Sequence, residues 1–541
     1  MAPLDAPIFH FNAERSAIVN EVVERVTARA SNPLSLLGDA VYHEVRRLTA
    51  AGGATEAELA RWKALGRRLG AMSEDEARRK LVHLAEEHAW DVAGNFDRRV
   101  YSVATRLAPP LLGALIAPRL TFTSLRRLLD AAALGDRIRV SGAIDAVRAL
   151  TGRGTVVYVP THLSNMDSIV FGYALERAGL PPATYGAGKN LFTNPVLSFF
   201  MHNLGAYRVD RRLRHALYKD VLKAYSCVLI ERGYHSLFFP GGTRSRSGGV
   251  ERRLKLGLAG TGVEAFGRTA RRGTPRRVFF VPATIGYLAT LEAETLINDF
   301  LQEAGKSRFI IEDDESSRLA KVVGFAEKLL RHDAGVVVRF GEPLDPFGNP
   351  VDDEGRSLDG RGRPVDPVSY VRDRHGAVAV DPARDAQYTR ELGEAVCRSY
   401  LQNTVPLATN VLAAVMMNHL RRGAGTDDLF TLLRIRERAP LARAEAAAEA
   451  ARVRDAMLEQ EARGRLVVAD ALRRASGEAI VDEALGAWRG THSTPVVEEA
   501  EAGRRLTIGS APLVFYYQNR LAAHGLALDA LAPPRAARGE A

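Results

Sequence analysis

Apolar residues recur at three- and four-residue spacing through the first quarter of the chain, which is typical of amphipathic helices. The stretches Val-Val-Glu-Arg-Val at 22–26 and Leu-Val-His-Leu-Ala at 81–85 show the pattern clearly. Few strand-like runs interrupt it between residues 13 and 133. We therefore predict a helical N-terminal region.

The pattern changes between about residues 138 and 340, where short runs of β-branched and aromatic residues alternate with helical stretches. Four such runs predict strands, at 156–159, 237–239, 278–281 and 336–340. Strands separated by helical segments favour a layered α/β domain with a largely parallel central sheet.

Beyond this domain the chain becomes rich in Gly, Pro, Asp and Arg, with a near repeat of Gly-x-Pro-Val-Asp at 348–352 and 362–366. This composition predicts turns or small hairpins in an exposed excursion. Helical patterns return from 388 to 524, including an Ala-, Glu- and Arg-rich stretch at 440–461 that has Pro at its predicted start and a charged face expected to meet solvent.

These patterns divide the chain into five regions, in line with its length of 541 residues, which exceeds one ordinary core. They are an N-terminal helical region (1–135), an α/β domain (136–345), the excursion (346–385), a C-terminal helical domain (386–530) and a disordered tail (531–541).

Composition adds a positive charge, because 74 Lys and Arg outnumber 64 Asp and Glu to give a net charge of +10. Phosphorylated substrates, anionic lipid surfaces and nucleic acid all suit such a balance. Only 7% of residues are aromatic and no nucleic-acid-binding motif occurs, so nucleic acid is the least favoured partner. Cys227 and Cys397 lack the spacing of a zinc site or a disulfide framework, which favours a reducing compartment.

Membrane insertion is predicted to be partial at most. The start of the chain lacks the basic and apolar segments of a signal peptide, so we expect no export. The longest apolar stretch, 107–118, is interrupted by Pro109 and Pro110. As a helix it would reach about 18 Å, against a hydrocarbon core of about 30 Å. It is expected either to pack as a buried helix or to dip into one leaflet.

The strongest chemical signal is a His followed five residues later by an Asp, His162 and Asp167, directly after the apolar run 155–160. A buried strand that places both side chains in the following turn supplies a general base with its own orienting carboxylate. A second interpretation is structural, because three residues of the turn are good caps for a helix beginning near Ser168, namely Ser164, Asn165 and Asp167.

Three further blocks follow in order: Gly-Ala-Tyr-Arg-Val-Asp-Arg at 205–211, Phe-Pro-Gly-Gly-Thr-Arg-Ser-Arg at 239–246 and Val-Pro-Ala-Thr-Ile-Gly-Tyr at 281–287. With the His162 block they resemble the four blocks of the glycerolipid acyltransferases, most closely the bacterial membrane-associated glycerol-3-phosphate 1-O-acyltransferases. The resemblance covers about 155–343, and a weaker likeness lies at 513–520.

This resemblance implies transfer of a fatty acyl chain from acyl-CoA or acyl-carrier protein to the sn-1 hydroxyl of glycerol 3-phosphate, the first step of phospholipid synthesis. It implies no cofactor and no metal, and a peripheral or monotopic position at the cytoplasmic face of the membrane, on an anionic surface. A covalent route through Ser164 or Ser168 is a rival to general-base catalysis.

The resemblance also implies roles for particular residues. His162 and Asp167 would be catalytic, and substrate binding would fall to Arg211, Gly242, Thr243, Arg244, Ser245 and Pro282. Lys189 and Asn190 would add a polar contact. For the arginines around Arg211 we predict an exposed basic face without a role, namely Arg208, Arg212 and Arg214.

One departure from the family pattern concerns the acceptor. The family has Glu where this chain has Gly241, and that Glu is associated with holding the glycerol portion of the acceptor. Lysophosphatidate and dihydroxyacetone phosphate therefore stay open as alternative acceptors. An inactive membrane scaffold and a basic nucleic-acid-binding protein are the alternatives from other functional classes.

Overall fold

A computed structural model describes residues 6–50, 56–104, 138–189, 192, 195–304, 335–435 and 438–526. Three of the predictions concern residues outside these ranges: the apolar stretch 107–118, the polar contact of Asn190 and the tail at 531–541.

Four long helices form the N-terminal region: α1 Phe11–Arg29, α2 Pro33–Ala50, α3 Glu56–Leu69 and α4 Glu74–Val92, preceded by a 3-10 turn at Pro7–His10. Each places an apolar face in a shared core, as the three-to-four spacing predicts. The start of α4 is fixed by a capping box, in which the Ser73 side chain accepts from the Glu76 backbone and Glu76 reaches back to Ser73.

A seven-stranded sheet forms the centre of the molecule, in the order β1-β7-β6-β2-β5-β3-β4. Every neighbouring pair is parallel except β6 and β7. The predicted α/β class with a largely parallel sheet is therefore confirmed. The strands are β1 Ile138–Gly142, β2 Thr155–Pro160, β3 Thr184–Gly188, β4 Ala206–Val209, β5 Ser236–Leu237, β6 Val278–Tyr287 and β7 Val336–Phe340.

Helices cover both faces of the sheet, which is why β2 is buried along its whole length. Val156 and Tyr158 face one core, and Val157 and Val159 face the other. The covering helices are α5 Ile144–Thr151, α6 Asp167–Arg177, α7 Pro195–Asn203, α8 Ala216–Arg232, α9 Gly260–Arg271 and α10 Ala293–Ala304.

The excursion after β7 forms turns and one small hairpin, β8 Ser357–Leu358 with β9 Pro364–Val365, followed by a 3-10 turn at Pro367–Val371. It is not exposed throughout, as the sequence suggested, because Phe347 and Val371 are buried in the core next to α9.

The C-terminal region is helical, but it also contains an antiparallel sheet that the periodicity did not predict. Its strands are β10 Leu441–Ala442, β11 Val497–Ala500 and β12 Arg505–Ile508. Its helices are α11 Pro382–Gln402, α12 Ala408–Ala424, α13 Leu429–Arg434, α14 Arg443–Ala462, α15 Asp470–Arg474, α16 Gly477–Trp488 and α17 Ala511–Ala522.

Two details of the Ala-, Glu- and Arg-rich helix differ from the prediction. Helix α14 begins at Arg443, after β10, so Pro440 does not occupy its first turn. Its charged face is not wholly solvated, because Glu449 is buried and accepts a 2.6 Å hydrogen bond from Arg422. This charge is part of the packing between α14 and α12.

Several classes of feature are absent from the part of the chain that the structure describes. Both cysteines are free thiols there, and no group of His, Cys, Asp or Glu is placed to hold a metal ion. None of the described helices has both the length and the apolar composition required to cross a bilayer.

Candidate active site

The loop after β2 brings His162 and Asp167 together. The Nδ1 atom of His162 lies 2.7 Å from Oδ2 of Asp167, within hydrogen-bonding distance. Asp167 is fully buried, whereas 14% of the His162 side chain is exposed. An ionised carboxylate only accepts hydrogen bonds, so Nδ1 carries the proton and Nε2 is left with its lone pair. The pair therefore has the geometry of a base with an orienting carboxylate.

The carboxylate of Asp167 is itself held by three further donors. Its Oδ2 accepts from the backbone N–H groups of Leu163 at 2.6 Å and Ser164 at 3.0 Å. Its Oδ1 accepts from the Tyr287 hydroxyl at 2.6 Å. Burial raises the pKa of the Tyr287 hydroxyl well above its ordinary value, so this group stays a donor. Asp167 thus closes the loop and orients His162 at the same time.

Helix α6 begins at Asp167, one residue before the predicted start, and its N-cap residue Met166 makes no side-chain cap. The structural interpretation of the turn, in which Ser164, Asn165 or Asp167 caps the helix, does not describe this loop. Asp167 instead directs its carboxylate back to the loop that precedes it.

The imidazole of His162 stacks on the ring of Phe239, with centroids 4.2 Å apart and an angle of 23°. Among the described residues, Nε2 has no hydrogen-bond partner. The stack and the Asp167 bond fix the ring from two directions, which leaves a pre-oriented lone pair at the partly open side of the site.

A buried carboxylate lies beneath this loop and was not predicted as a site residue. Oε1 of Glu251 accepts a 2.8 Å hydrogen bond from the backbone N–H of His162. Glu251 as a residue keeps some exposure, but its Oε2 is buried and has no partner among the described residues. A Cβ atom on Gly241 would lie 3.1 Å from Oε1, so Glu251 occupies the space beside the position where the family has Glu.

We predict that Glu251→Ala lowers the free energy of unfolding by about 1–3 kcal/mol, because the buried N–H of His162 loses its acceptor. The matched variant Glu251→Gln keeps an amide oxygen for that N–H and is expected to lose less than about 1 kcal/mol. Urea denaturation at neutral pH measures both values. An alanine variant as stable as the wild type would contradict this role of Glu251.

Comparison of the wild type with Glu251→Gln also tests the charge of Glu251, because burial raises the pKa of this carboxyl above its ordinary value of 4.5. As the pH rises, the unfolded chain releases the proton first, and ionising the folded carboxyl costs free energy. The stability of the wild type relative to Glu251→Gln is therefore expected to be highest below pH 4.5 and to fall as the pH rises through the folded pKa.

A second buried carboxylate, Glu292, organises the other side of the loop. It accepts from the Ser164 hydroxyl at 3.0 Å and from the Asn165 backbone N–H at 3.0 Å, and Arg244 lies 3.5 Å away. Ser164 is therefore bonded to Glu292 rather than to His162. The covalent route through Ser164 lacks the serine–histidine hydrogen bond that an activated nucleophile requires.

The glycine-led loop after β5 lies against the His162 loop. The backbone N–H of Ser245 donates to the carbonyl of His162 at 2.7 Å, and the Ser245 hydroxyl donates to the carbonyl of Gly249. Gly242 has a φ of +74°, and a Cβ there would collide with the Lys255 side chain, so glycine is required. The structure thus brings Gly242, Ser245 and Arg244 close to His162, whereas Thr243 is exposed.

Two predicted contact residues lie farther from His162. Pro282 is buried within β6, opposite Val159 of β2, and its carbonyl accepts from Gly341. Arg211 is exposed and follows β4, three strand positions from β2. At about 4.8 Å between strands, the axes of β2 and β4 are roughly 14 Å apart. Arg211 therefore lies along the same edge of the sheet rather than at His162.

The neighbours of Arg211 are engaged with carboxylates. Arg212 forms a bidentate contact with Asp210, with its shorter bond at 2.8 Å. Arg208 lies 3.9 Å from Asp91, which also accepts from Lys189 at 2.7 Å. Lys189, predicted as a polar contact to substrate, thus makes a hydrogen bond to Asp91.

The C-terminal helix α17 contacts the strand and the loops next to the site. Arg520 is buried and donates from Nη2 to the carbonyl of Ile285 in β6 at 2.7 Å. Asn519 donates to the carbonyl of Ser247 at 2.8 Å, and the Tyr517 hydroxyl accepts from the backbone N–H of Thr290 at 3.0 Å. Loss of solvation lowers the pKa of Arg520, which Glu251 partly offsets by its charge.

Comparison with known proteins identifies the central part of the chain. Residues 119–286, which include His162, Asp167 and the glycine-led loop, match the family model described as acyltransferase. This part of the chain is similar to acyltransferases. The match ends at Gly286, one residue before Tyr287, whose hydroxyl contacts Asp167.

Two curated relatives carry the name glycerol-3-phosphate acyltransferase. The protein of Aeromonas hydrophila subsp. hydrophila is 34% identical over 212 residues, which cover 38% of this chain and 24% of that protein. The protein of Pseudomonas aeruginosa is 34% identical over 202 residues, covering 37% of this chain and 22% of the relative. The match thus spans about a quarter of the length of these relatives.

Among solved structures, the 1-acyl-sn-glycerophosphate acyltransferase of Thermotoga maritima aligns with 57% of this chain and 93% of its own. The sequence identity is 13% and the TM-score is 0.25. A TM-score of this size does not establish a common fold.

Sequence reasoning missed four polar residues around the His162 loop: Glu251, Tyr287, Glu292 and Arg520. Tyr287 ends the fourth block and Arg520 ends the C-terminal stretch of resemblance, so position within a motif could have indicated both. Glu251 and Glu292 lie outside every motif, and only the folded chain reveals them.

Proposed function

We propose that this chain transfers a fatty acyl group from a thioester, acyl-CoA or acyl-carrier protein, to the sn-1 hydroxyl of glycerol 3-phosphate. The observation that carries the proposal is the His162–Asp167 pair, which lies within the residues that match the acyltransferase family model. Among the described residues, Nε2 of His162 has no hydrogen-bond partner. The names of the curated relatives support glycerol 3-phosphate as the acceptor.

In the proposed reaction, the acceptor hydroxyl gives its proton to Nε2 of His162 as its oxygen attacks the thioester carbonyl. Asp167, bonded to Nδ1, stabilises the imidazolium that forms. Collapse of the tetrahedral intermediate expels the thiolate, which takes the proton from the imidazolium. The ester product and a free thiol result, and His162 returns to its starting state.

No covalent intermediate is required, because the acyl group arrives as an activated thioester. The bond between Ser164 and Glu292 supports this direct route. Ser168 lies in the first turn of α6, two residues beyond Met166, and makes no hydrogen bond to His162 among the described residues. A general base of this kind contributes about 10²- to 10⁴-fold in rate.

The acceptor can be identified by assaying the purified chain with palmitoyl-CoA and three acceptors: glycerol 3-phosphate, lysophosphatidate and dihydroxyacetone phosphate. We expect glycerol 3-phosphate to give the highest kcat/KM. A preference for either other acceptor would favour the alternative that Gly241 leaves open. Turnover with none, together with binding to anionic vesicles, would favour an inactive membrane scaffold.

For the phosphate of the acceptor we propose Arg211, which is exposed at the edge of the sheet where His162 lies. We expect Arg211→Ala to raise the KM for glycerol 3-phosphate by about tenfold or more, since a charge-assisted bond to phosphate contributes about 1.5–3 kcal/mol. Steady-state kinetics with the acceptor varied give the value.

The matched control is Arg214→Ala, which removes the same charge from the same loop at an exposed position. Its KM is expected to stay close to the wild-type value. If both variants raise KM equally, the effect is one of general charge and the specific role of Arg211 is wrong.

We also propose that the enzyme works on an anionic membrane surface, as a peripheral or monotopic protein at the cytoplasmic face. The net charge of +10 supports attraction to such a surface.

A further inference from the structure

A cavity of about 550 Å³ lies at the edge of the central sheet opposite to His162. Strand β2 connects the two places, since Thr155 begins the strand beside the cavity and Pro160 ends it before His162. At roughly 3.3 Å per residue, the strand separates them by about 17 Å. This cavity is therefore distinct from the candidate active site.

The described lining of the cavity contains Arg153, Arg276 and Arg277, and neither Asp nor Glu. The guanidinium of Arg277 donates to the carbonyl of Glu354 at 2.7 Å, outside this lining, so the cavity cations are Arg276 and Arg153. The nearby His235 adds no charge, because burial lowers its pKa to about 4 and its Nδ1 accepts from the Val156 backbone. The cavity thus concentrates positive charge without an internal counter-charge.

Arg276 is the central residue of this lining. It is half-buried, and its Nε donates to the Thr155 hydroxyl oxygen at 3.0 Å. The Thr155 hydroxyl in turn donates to the carbonyl of Ile230 at 2.9 Å, so the contact is anchored in the core. For the terminal nitrogens of Arg276, the described residues provide no acceptor and no carboxylate partner. Loss of solvation lowers the pKa of Arg276.

The backbone around Arg276 is shaped to admit its side chain. Gly233, the αL cap of helix α8, has a φ of +91°, and a Cβ atom there would collide with Nη2 of Arg276. Glycine is therefore needed at this position for two reasons: the backbone adopts a positive φ, and a Cβ atom would occupy the space of the guanidinium. A fixed guanidinium whose terminal N–H groups lack protein acceptors is arranged for bidentate binding of an anion.

We propose that this cavity is a second anion site that binds a phosphate group, held by Arg276 and supported by Arg153. A phosphate dianion matches two cations better than a single carboxylate does. The volume is within the range of small-molecule pockets, about 300–1,000 Å³. The phosphate belongs either to a soluble metabolite or to a lipid headgroup, since both present the same chemistry.

Calorimetric titration of the full chain with inorganic phosphate at constant ionic strength tests the site. Phosphate binding is measured in the parent variant Arg211→Ala, which lacks the proposed acceptor contact. It is then measured in the two double variants that add Arg276→Gln or Arg271→Gln to this parent. Arg271 is exposed, lies in the last turn of α9 and does not line the cavity, so it is a matched control for charge. We expect Arg276→Gln to weaken phosphate binding by about tenfold or more.

The control Arg271→Gln is expected to bind phosphate within about twofold of its parent. The proposal is overturned if the parent binds no phosphate up to about 10 mM, or if the two glutamine variants weaken binding equally. If thermal melts show that Arg276→Gln does not fold, Arg153→Gln tests the same cavity by changing an exposed residue of its lining. Unchanged phosphate binding in Arg153→Gln also overturns the proposal.

Flotation with phosphatidylcholine vesicles, with and without phosphatidate, distinguishes the two sources of phosphate. Selective loss of phosphatidate-dependent flotation in Arg276→Gln, but not in Arg271→Gln, assigns the site to a lipid headgroup. Equal flotation of the two variants, with the phosphate titrations still different, assigns it to a soluble phosphorylated molecule.

Discussion

His162→Ala is expected to reduce acyl transfer by about 10²- to 10⁴-fold while leaving the thermal melt near that of the wild type. The rate falls because no other described group within the loop can take the acceptor proton. The fold persists because Asp167 keeps its three other donors, from Leu163, Ser164 and Tyr287. The measurement is kcat with palmitoyl-CoA and glycerol 3-phosphate, together with a melting curve.

The control for this experiment is His83→Ala, which removes an exposed histidine from α4 that pairs with Glu87 at 3.1 Å. Its activity should match the wild type. Equal activity of the His162→Ala variant and the wild type would end the assignment of His162 as the base.

Asp167→Asn is expected to lower kcat by roughly 10²- to 10⁴-fold with little change in KM. The amide oxygen can take the place of Oδ2, which accepts from His162, Leu163 and Ser164, so the loop stays closed. The negative charge beside the imidazolium is lost, however, and that charge contributes mainly as the proton moves. Kinetics at saturating donor separate kcat from KM.

Two further variants separate the effect of the Asp167 charge from the effect of the hydrogen bonds that Asp167 accepts. Asp167→Ala should also destabilise the fold by about 1–3 kcal/mol for each backbone N–H it leaves unpaired. Tyr287→Phe removes only the donor to Oδ1 and should keep most of the activity. A wild-type kcat in Asp167→Asn would contradict the electrostatic role of Asp167.

The sequence was most informative where the hydrophobic pattern is continuous. β2 is apolar along its length and was predicted within one residue at each end, and β7 was predicted at its observed bounds. Strands β1, β3 and β4 were not predicted. β1 contains Arg, Ser and Gly, β3 contains two glycines, and β4 has only four residues. Short strands of mixed composition carry too few residues for a period of two to appear.

The C-terminal sheet was missed for a related reason. β11 reads Val-Glu-Glu-Ala and β12 reads Arg-Leu-Thr-Ile, and both are short and charged. Their pairing depends on a turn in which Glu501 and Ala502 adopt positive φ. The connection contains a turn signal, Gly503, at a φ of +82°. Non-glycine residues rarely adopt positive φ, so the conformation of Glu501 and Ala502 was not indicated by the sequence.

The candidate site was predictable where its residues are close in the chain. His162 and Asp167 are five residues apart, and their spacing alone suggested the hydrogen bond that the structure contains. Glu251 lies 89 residues from His162, and Arg520 lies 235 residues from Ile285. Such long-range polar contacts leave no periodic trace, so they become apparent only once the chain has folded.

The bond from Arg520 to Ile285 has a consequence for biosynthesis. A ribosome adding about 5–20 residues per second needs roughly 10–50 s to extend the chain by the 235 residues between them. During that interval the nascent protein can assemble its sheet, but the carbonyl of Ile285 still lacks its donor. This contact is thus completed late in translation, when helix α17 docks onto strands made long before.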